Sequence, residues 1–246
     1  MVYDYKAGKK RVKEILDNKL EVIEKDKIPK DNEFTYTNAY YGWVGAIFID
    51  IRDSSNIFSK EDKEVVSKMI RSFTSEIIEI LRGEDNEREI GIRGDCVYCI
   101  YTTPSKSDTY SILEKAFWIN TYIKMLNKLL KQKGFDEIKA GIGVSISQEL
   151  VIKAGRKDVG IYSQVWIGDA VTRASNLSSL GDKDGNSRIC LSSLTYRNII
   201  EQFTKKNGEE SKEWFKLKSD VNDSKYYHAD IVKSEFSNWI DEGMKD

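Results

Sequence analysis

Apolar residues recur along this chain with two different periods, and the switches between them outline its elements. Val12, Ile15, Leu16, Leu20 and Ile23 stand at helical spacing among many charges between residues 9 and 26, and Pro29 closes the segment, so the pattern predicts an amphipathic N-terminal helix. Residues 43–51 are a run rich in Val and Ile, the mark of a buried strand. Ser59 and Asp62 then look like a capping box, after which Val66, Ile70, Phe73, Ile77 and Leu81 trace one helix face as far as Gly83. Residues 88–93 and 96–102 read as strands joined tightly at Gly94–Asp95. A second long helix, from about Ser107 to Gly134, is outlined by Ile112, Ala116, Ile119, Ile123, Leu126 and Leu130. Ile138, Ala140, Ile142, Val144 and Ile146 alternate strictly, so a strand follows.

Strand, helix, strand, strand, helix, strand is the split βαβ order, which predicts an α+β fold with a ferredoxin-like βαββαβ core. The first strand and the hairpin lie side by side in that topology. Residues 168–181 add a shorter helix with Val171, Ala174 and Leu177 inward, followed by a strand at 187–191 and a hairpin near 213–232. The expected organisation is an N-terminal amphipathic helix and linker over 1–37 and one domain over 38–246 that ends in additional strands. No internal repeat or low-complexity tract interrupts it.

Composition removes several function classes. The chain has 246 residues, enough to bury an ample core in one domain but not two. Lys and Arg total 39 against 40 for Asp and Glu, a balance that offers no footprint for nucleic acid or an anionic membrane. No apolar stretch approaches 18 residues and the charged N-terminus lacks the core of a signal peptide, so a cytoplasmic location is expected. Cys96, Cys99 and Cys190 are too few for a disulfide framework, and His228 is the only histidine, which argues against a zinc site or a histidine-based triad. Cys96 and Cys99 form a CxxC, but residues three apart on a strand face opposite ways, so two separate half-buried thiols are expected.

The chemistry is concentrated in GAIFIDIRDSSNIF, residues 45–58, where a buried strand delivers an acid, Asp50, to its own C-terminal edge. Asp95 at the hairpin tip, 95 − 50 = 45 positions on, can converge with it if strand and hairpin pair. Two such carboxylates suit two divalent cations, Mg²⁺ or Mn²⁺, which prefer oxygen ligands and can clamp both the attacking and leaving oxygens of a phosphoryl displacement. Ser54, Ser55 and the amides after Asp50 would then face phosphates, near a helix N-terminus that favours anions. Taken alone, Asp50 and Asp53 also fit the plain reading of residues that end a strand and begin a turn.

Four stretches point further: FIDIRDSS (48–55), GDCVYCIY (94–101), IKAGIGVS (138–145) and VWIGDAVTRASNL (165–177). Together they resemble the catalytic domain of class III nucleotidyl cyclases over roughly residues 43–232. The resemblance implies that Asp50 and Asp95 bind two metals together with the backbone carbonyl of Ile51, that Lys139 contacts phosphate, and that either Lys216 or Lys218 is the late triphosphate lysine. It also implies a nucleoside triphosphate substrate and a homodimer with composite sites, with metals from one protomer and the last-motif helix from the other.

Departures from the family pattern are equally informative. Adenylate cyclases carry a base-reading Lys four residues before the second metal acid and an Asp or Thr three residues before the last-motif Gly; here these positions are Gly91 and Val165. Neither side chain can hydrogen-bond a purine edge. The transition-state Asn and Arg of the family fall on Thr172 and Asn176, with Arg173 one position away as the only cation on that helix. This pattern resembles the pyrimidine cyclases of bacterial antiphage (Pycsar) defence, in which cyclic UMP is the commoner expected product and cyclic CMP the other. Trp166, Gln164, Arg93 and Tyr41 are candidates to contact the base, although Trp166 also fits a core aromatic. An adenylate or guanylate cyclase and a catalytically silent nucleotide-binding homologue are the alternatives; a dinucleotide cyclase of GGDEF type shares the topology, but its hairpin motif does not occur.

Overall fold

The structure, a computed structural model, describes residues 2–156 and 159–245, and among these residues nine strands form one mixed sheet. The strands are β1 (Glu21–Glu24), β2 (Asn38–Ile51), β3 (Glu87–Arg93), β4 (Cys96–Thr102), β5 (Ala140–Arg156), β6 (Ile161–Ile167), β7 (Ile189–Ser192), β8 (Lys216–Ser219) and β9 (Lys225–Ala229). Their order is β3-β4-β2-β5-β7-β9-β8, with β1 parallel to β2 and β6 antiparallel to the far half of β5. The helices are α1 (Tyr5–Asp17), α2 (Ser54–Lys60), α3 (Lys63–Leu81), α4 (Lys106–Gln132), α5 (Asp169–Ser178), α6 (Ser193–Asn207) and α7 (Ser234–Asp241). The predicted βαββαβ core is β2, α3, β3, β4, α4 and β5.

Strand alternation divides the sheet into two faces. Ile47, Ile49 and Ile51 of β2 pack with Phe73, Ile77 and Leu81 of α3 and with Leu113, Ile119 and Ile123 of α4 in the main core. Each such side chain, once buried, stabilises the fold by about 1.5–3 kcal/mol. The even positions Val44 and Ala46 face the other way, toward Ala170 and Ala174 of α5. That helix lies directly on β5, because a Cβ at Gly141 would strike the Ser178 carbonyl and one at Gly143 the Ala174 carbonyl. Glycine is required there by close approach of helix to strand.

Several boundaries differ from the sequence pattern. The predicted helix over residues 9–26 ends at Asp17; Asn18 is extended, and Glu21–Glu24 pairs with Asn38–Tyr41 instead, so part of the expected linker belongs to the sheet. Ser59 does not cap α3: it lies within α2, and the Asp62 side chain accepts from Glu64 N–H at 2.8 Å as the cap. The capping box stands at the start of α4, between Ser105 and Asp108. β5 runs ten residues past Ile146, hidden in the sequence because the exposed Gln148 breaks the apolar alternation of the even-numbered positions. Cys96 and Cys99 face opposite ways as expected, pairing with Asp50 and Ile47 respectively, and all three cysteines are free. No helix among the described residues is long and apolar enough to cross a membrane.

His228 joins β9 to the loop before β7, its Nδ1 accepting from Ser187 N–H at 3.0 Å. Burial first, then Lys218 and Lys216, hold its pKa below the usual 6.5. The unfolded chain therefore takes up the proton first, so the stabilisation is complete above pH 6.5 and declines as pH falls below it. We expect the urea midpoint to drop between pH 7.5 and 5.5 by more in the wild type than in His228→Asn; equal drops would contradict this assignment.

Candidate active site

Asp50 is the last even-numbered residue of β2 and so stands on the α5 face, opposite Cys96 on one side and Gly141 on the other. Asp95 precedes Cys96 in the β3–β4 turn, where Gly94 takes φ +64°, a conformation glycine adopts without steric cost. The turn thus brings the two acids to one sheet edge. Burial raises the Asp50 pKa above the usual carboxylate value; Arg52 opposes that rise, and the charge of Asp95 adds to it. Nη2 of Arg52 lies 2.7 Å from Asp50 Oδ2, and its Nη1 donates to the Ser179 carbonyl at 2.8 Å. Burial, and then the charge of Asp50, push the Cys96 thiol up to about 12, so it is a poor nucleophile and a poor metal ligand.

The donor set fits hard divalent cations. It is made of oxygens, and a cationic guanidinium already stands against Asp50, so this corner of the protein accepts positive charge. Among the described residues no cluster of three or more His, Cys, Asp or Glu forms a closed cage. Mg²⁺ is commonly held by one or two carboxylates with substrate phosphates completing the shell, and Asp50 and Asp95 match that pattern.

The phosphate candidates fall into two groups. Ser54 and Ser55 open α2 directly after Asp53, whose φ of +51° turns the chain sharply at the strand end. The Lys139 carbonyl accepts from Arg52 N–H at 2.7 Å, which fixes the exposed Lys139 two positions beyond the Asp50–Gly141 rung. Lys216 and Lys218 share one face of β8, but that strand is four places from β2, roughly 19 Å at 4.8 Å per strand. Lys218 Nζ donates to the Asp184 carbonyl at 3.1 Å. The structure does not bring either lysine to Asp50 of the same chain.

Thr172, Arg173 and Asn176 line a depression of about 360 Å³ shared with Ser145, Ser192 and Ser224, on the β7 side of α5. The Arg173 guanidinium is paired with Asp220 and donates to the Ser224 carbonyl at 3.3 Å, so its position is fixed by the β8–β9 loop. Asp50 lies on β2, across β5 from that loop. The acids and the helix side chains therefore sit on opposite flanks of α5. Glu149, fully buried, anchors the helix N-terminus: Oε1 accepts from Ala170 N–H at 2.6 Å and Val171 N–H at 3.3 Å. A carboxylate there also complements the helix dipole, and burial raises its pKa against these bonds.

The base candidates separate by strand face. Trp166 pairs with Val151 and turns toward β3, its Nε1 donating to Glu89 at 2.8 Å. Gln164, two positions earlier on the same face, is half-buried, whereas alternation sends Val165 to the opposite, exposed face. Arg93 ends β3 beside the Asp95 turn, and Gly91 faces the Tyr98 hydroxyl. Tyr41 is not part of this group: it is an odd-numbered residue nine positions from Asp50, about 30 Å along β2 and on the main-core face. Arg52 and Glu89 are absent from the sequence-derived site. Arg52 stands inside the motif itself, while nothing local marks Glu89, whose partners come from β4 and β6.

The chain is similar to known proteins over most of its length. Residues 37–222 match the family model described as the adenylate and guanylate cyclase catalytic domain. A uridylate cyclase of Treponema porcinum is 50% identical over 246 residues, covering 100% of this chain and 84% of the relative. A uridylate cyclase of Gulbenkiania mobilis is 33% identical over 204 residues, covering 80% of this chain and 79% of the relative. The crystal structure of the adenylyl cyclase CyaB from P. aeruginosa shares the fold with a TM-score of 0.61 at 17% identity, over 77% of this chain and 94% of that one. With the cyclase-type sheet and the paired acids at its edge, the match over residues 37–222 shows that the chain belongs to the class III nucleotidyl cyclase family, as an enzyme of the adenylate and guanylate cyclase catalytic-domain type.

Proposed function

We propose that this enzyme converts UTP, and CTP less efficiently, to the 3′,5′-cyclic monophosphate and pyrophosphate, as a second-messenger signal in antiviral defence. The reading rests chiefly on the full-length likeness to a protein named uridylate cyclase, joined to an acid pair suited to metal-dependent phosphoryl transfer. Asp50, Asp95 and the Ile51 carbonyl would hold two divalent cations, Mg²⁺ or Mn²⁺. Bound there, such ions supply activation of the ribose 3′-hydroxyl and neutralisation of the departing pyrophosphate. The chain itself positions: Ser54, Ser55 and Lys139 face the phosphates, and Thr172, Arg173 and Asn176 with Lys218 act from the other half of the site. Phosphoryl transfer needs little beyond positioning and charge stabilisation, in keeping with a single histidine.

The opposite-flank placement of the acids and the α5 residues supports a homodimer in which each site draws metals from one copy and α5 from the other. Incubating pure protein with Mn²⁺ and equimolar UTP, CTP, ATP and GTP tests the substrate. Mass spectrometry should find cyclic UMP dominant, cyclic CMP next and the purine products as traces; dominant cyclic AMP would overturn the pyrimidine reading.

A further inference from the structure

Glu89 of β3 stands where the strands carrying the base candidates meet. Its Oε1 accepts from the Tyr98 hydroxyl at 2.6 Å and its Oε2 from the Trp166 indole N–H at 2.8 Å. Tyr98 reaches it through the space left by Gly91, where any Cβ would collide with the tyrosine hydroxyl. Phe48 fixes the Tyr98 ring from below, with ring centroids 5.1 Å apart and planes within 13°. Burial, and then the bond to Glu89, push the Tyr98 pKa up to about 12, so the hydroxyl remains a donor. Two neutral donors thus lock a half-buried carboxylate that has no ion-pair partner among the described residues. An ionised carboxylate offers about four lone-pair positions, so roughly two are left to accept from a ligand.

We propose that Glu89 selects the nucleobase, its carboxylate accepting the N3–H of uracil while Arg93, on the same face of β3, donates to a flanking base carbonyl. The inference rests on the UTP reading above and names the residue that would enforce it. Uracil presents acceptor, N3–H donor and acceptor along its pairing edge, whereas cytosine presents an unprotonated N3 acceptor at the same place. A fixed acceptor therefore gains a charge-assisted hydrogen bond with uracil and meets an opposing lone pair in cytosine. A site built this way discriminates strongly, because the wrong base leaves buried polar groups unpaired. Gly91 is then explained as the position that lets Tyr98 orient the selecting carboxylate, and Trp166 as its second orienting group.

The decisive variant is Glu89→Gln, whose amide can turn an N–H toward the cytosine N3. The ratio of kcat/KM for UTP to that for CTP should fall at least about tenfold, driven by a loss on UTP with CTP held or improved. Trp166→Phe, which removes one orienting donor but leaves the carboxylate, should lower the ratio by only about threefold, and it serves as the readout if Glu89→Gln loses its cooperative melting transition. A merely structural role would depress both substrates together, so an unchanged ratio in a folded variant of a wild type that makes cyclic UMP overturns the role of Glu89 alone. A wild type that cyclises only purines overturns the UTP reading and this inference with it.

Discussion

Alanine at Asp50 or at Asp95 is expected to abolish cyclisation while leaving the chain folded. Each acid stands at the sheet edge rather than in the core: Asp50 closes β2, and Asp95 occupies a two-residue turn. Losing one carboxylate removes an anchoring ligand and much of the compensation for charge that develops on the phosphates, about 4 kcal/mol or more of transition-state stabilisation. That corresponds to roughly a thousandfold or greater loss of rate. The fold has a specific point of sensitivity, since Asp50→Ala leaves Arg52, whose Nε is already buried without a partner, holding only backbone carbonyls. Asp50→Asn keeps an acceptor for Arg52 and is the structural control. Circular dichroism melts should match the wild type for Asp50→Asn and Asp95→Ala, and product yield with Mn²⁺ and UTP should fall to background in all three. More than trace product from both alanine variants would contradict the metal assignment.

Mixing two dead enzymes should restore activity. Asp50→Ala removes metal binding but keeps α5; Thr172→Ala/Asn176→Ala damages α5 but keeps both acids. The second variant avoids Arg173, because the pairing of Arg173 with Asp220 secures the β8–β9 loop and its loss could disturb folding. If each site combines the acids of one copy with the helix of the other, a mixed dimer contains one intact site and one doubly damaged site. Random re-pairing of equal amounts makes half of all dimers mixed, so about a quarter of wild-type activity should return after co-refolding. Verified mixed dimers without product, under a protocol that recovers the wild type, would show that the site is not shared between copies.

Both expectations use residues legible in the sequence, but their partners were not legible there. Asp50 and Asp95 stand out because an acid at the end of an apolar strand and another after Gly in a tight turn are local patterns. Arg52 lies in the same motif, yet its pairing with Asp50 and its bond to Ser179, 127 positions away, exist only once α5 has packed on β5. Tyr41 illustrates the converse: strand alternation puts it on the main-core face, nine positions along β2 from Asp50, a placement its residue type does not reveal. Gln148 shows why the sequence pattern ends β5 early: an exposed polar residue stands where the next apolar side chain of the alternation would be, although the strand continues to Arg156.

The amino-acid sequence by itself determined the βαββαβ core, the opposite facing of Cys96 and Cys99, and the places of Asp50 at a strand end and Asp95 in a tight turn. Each follows from periodicity or turn chemistry confined to a few neighbouring residues, and a buried strand between two helices admits few topologies. Tertiary structure alone decided that α1 stops at Asp17, that Glu21–Glu24 joins the sheet, that Arg173 is held by Asp220, and that Trp166 and Tyr98 converge on Glu89. These depend on register between distant strands and on which polar groups remain unpaired after the core has closed. A one-residue slip reverses every side chain on a strand, so such meetings are selected by packing across the whole sheet and leave no mark in the local pattern.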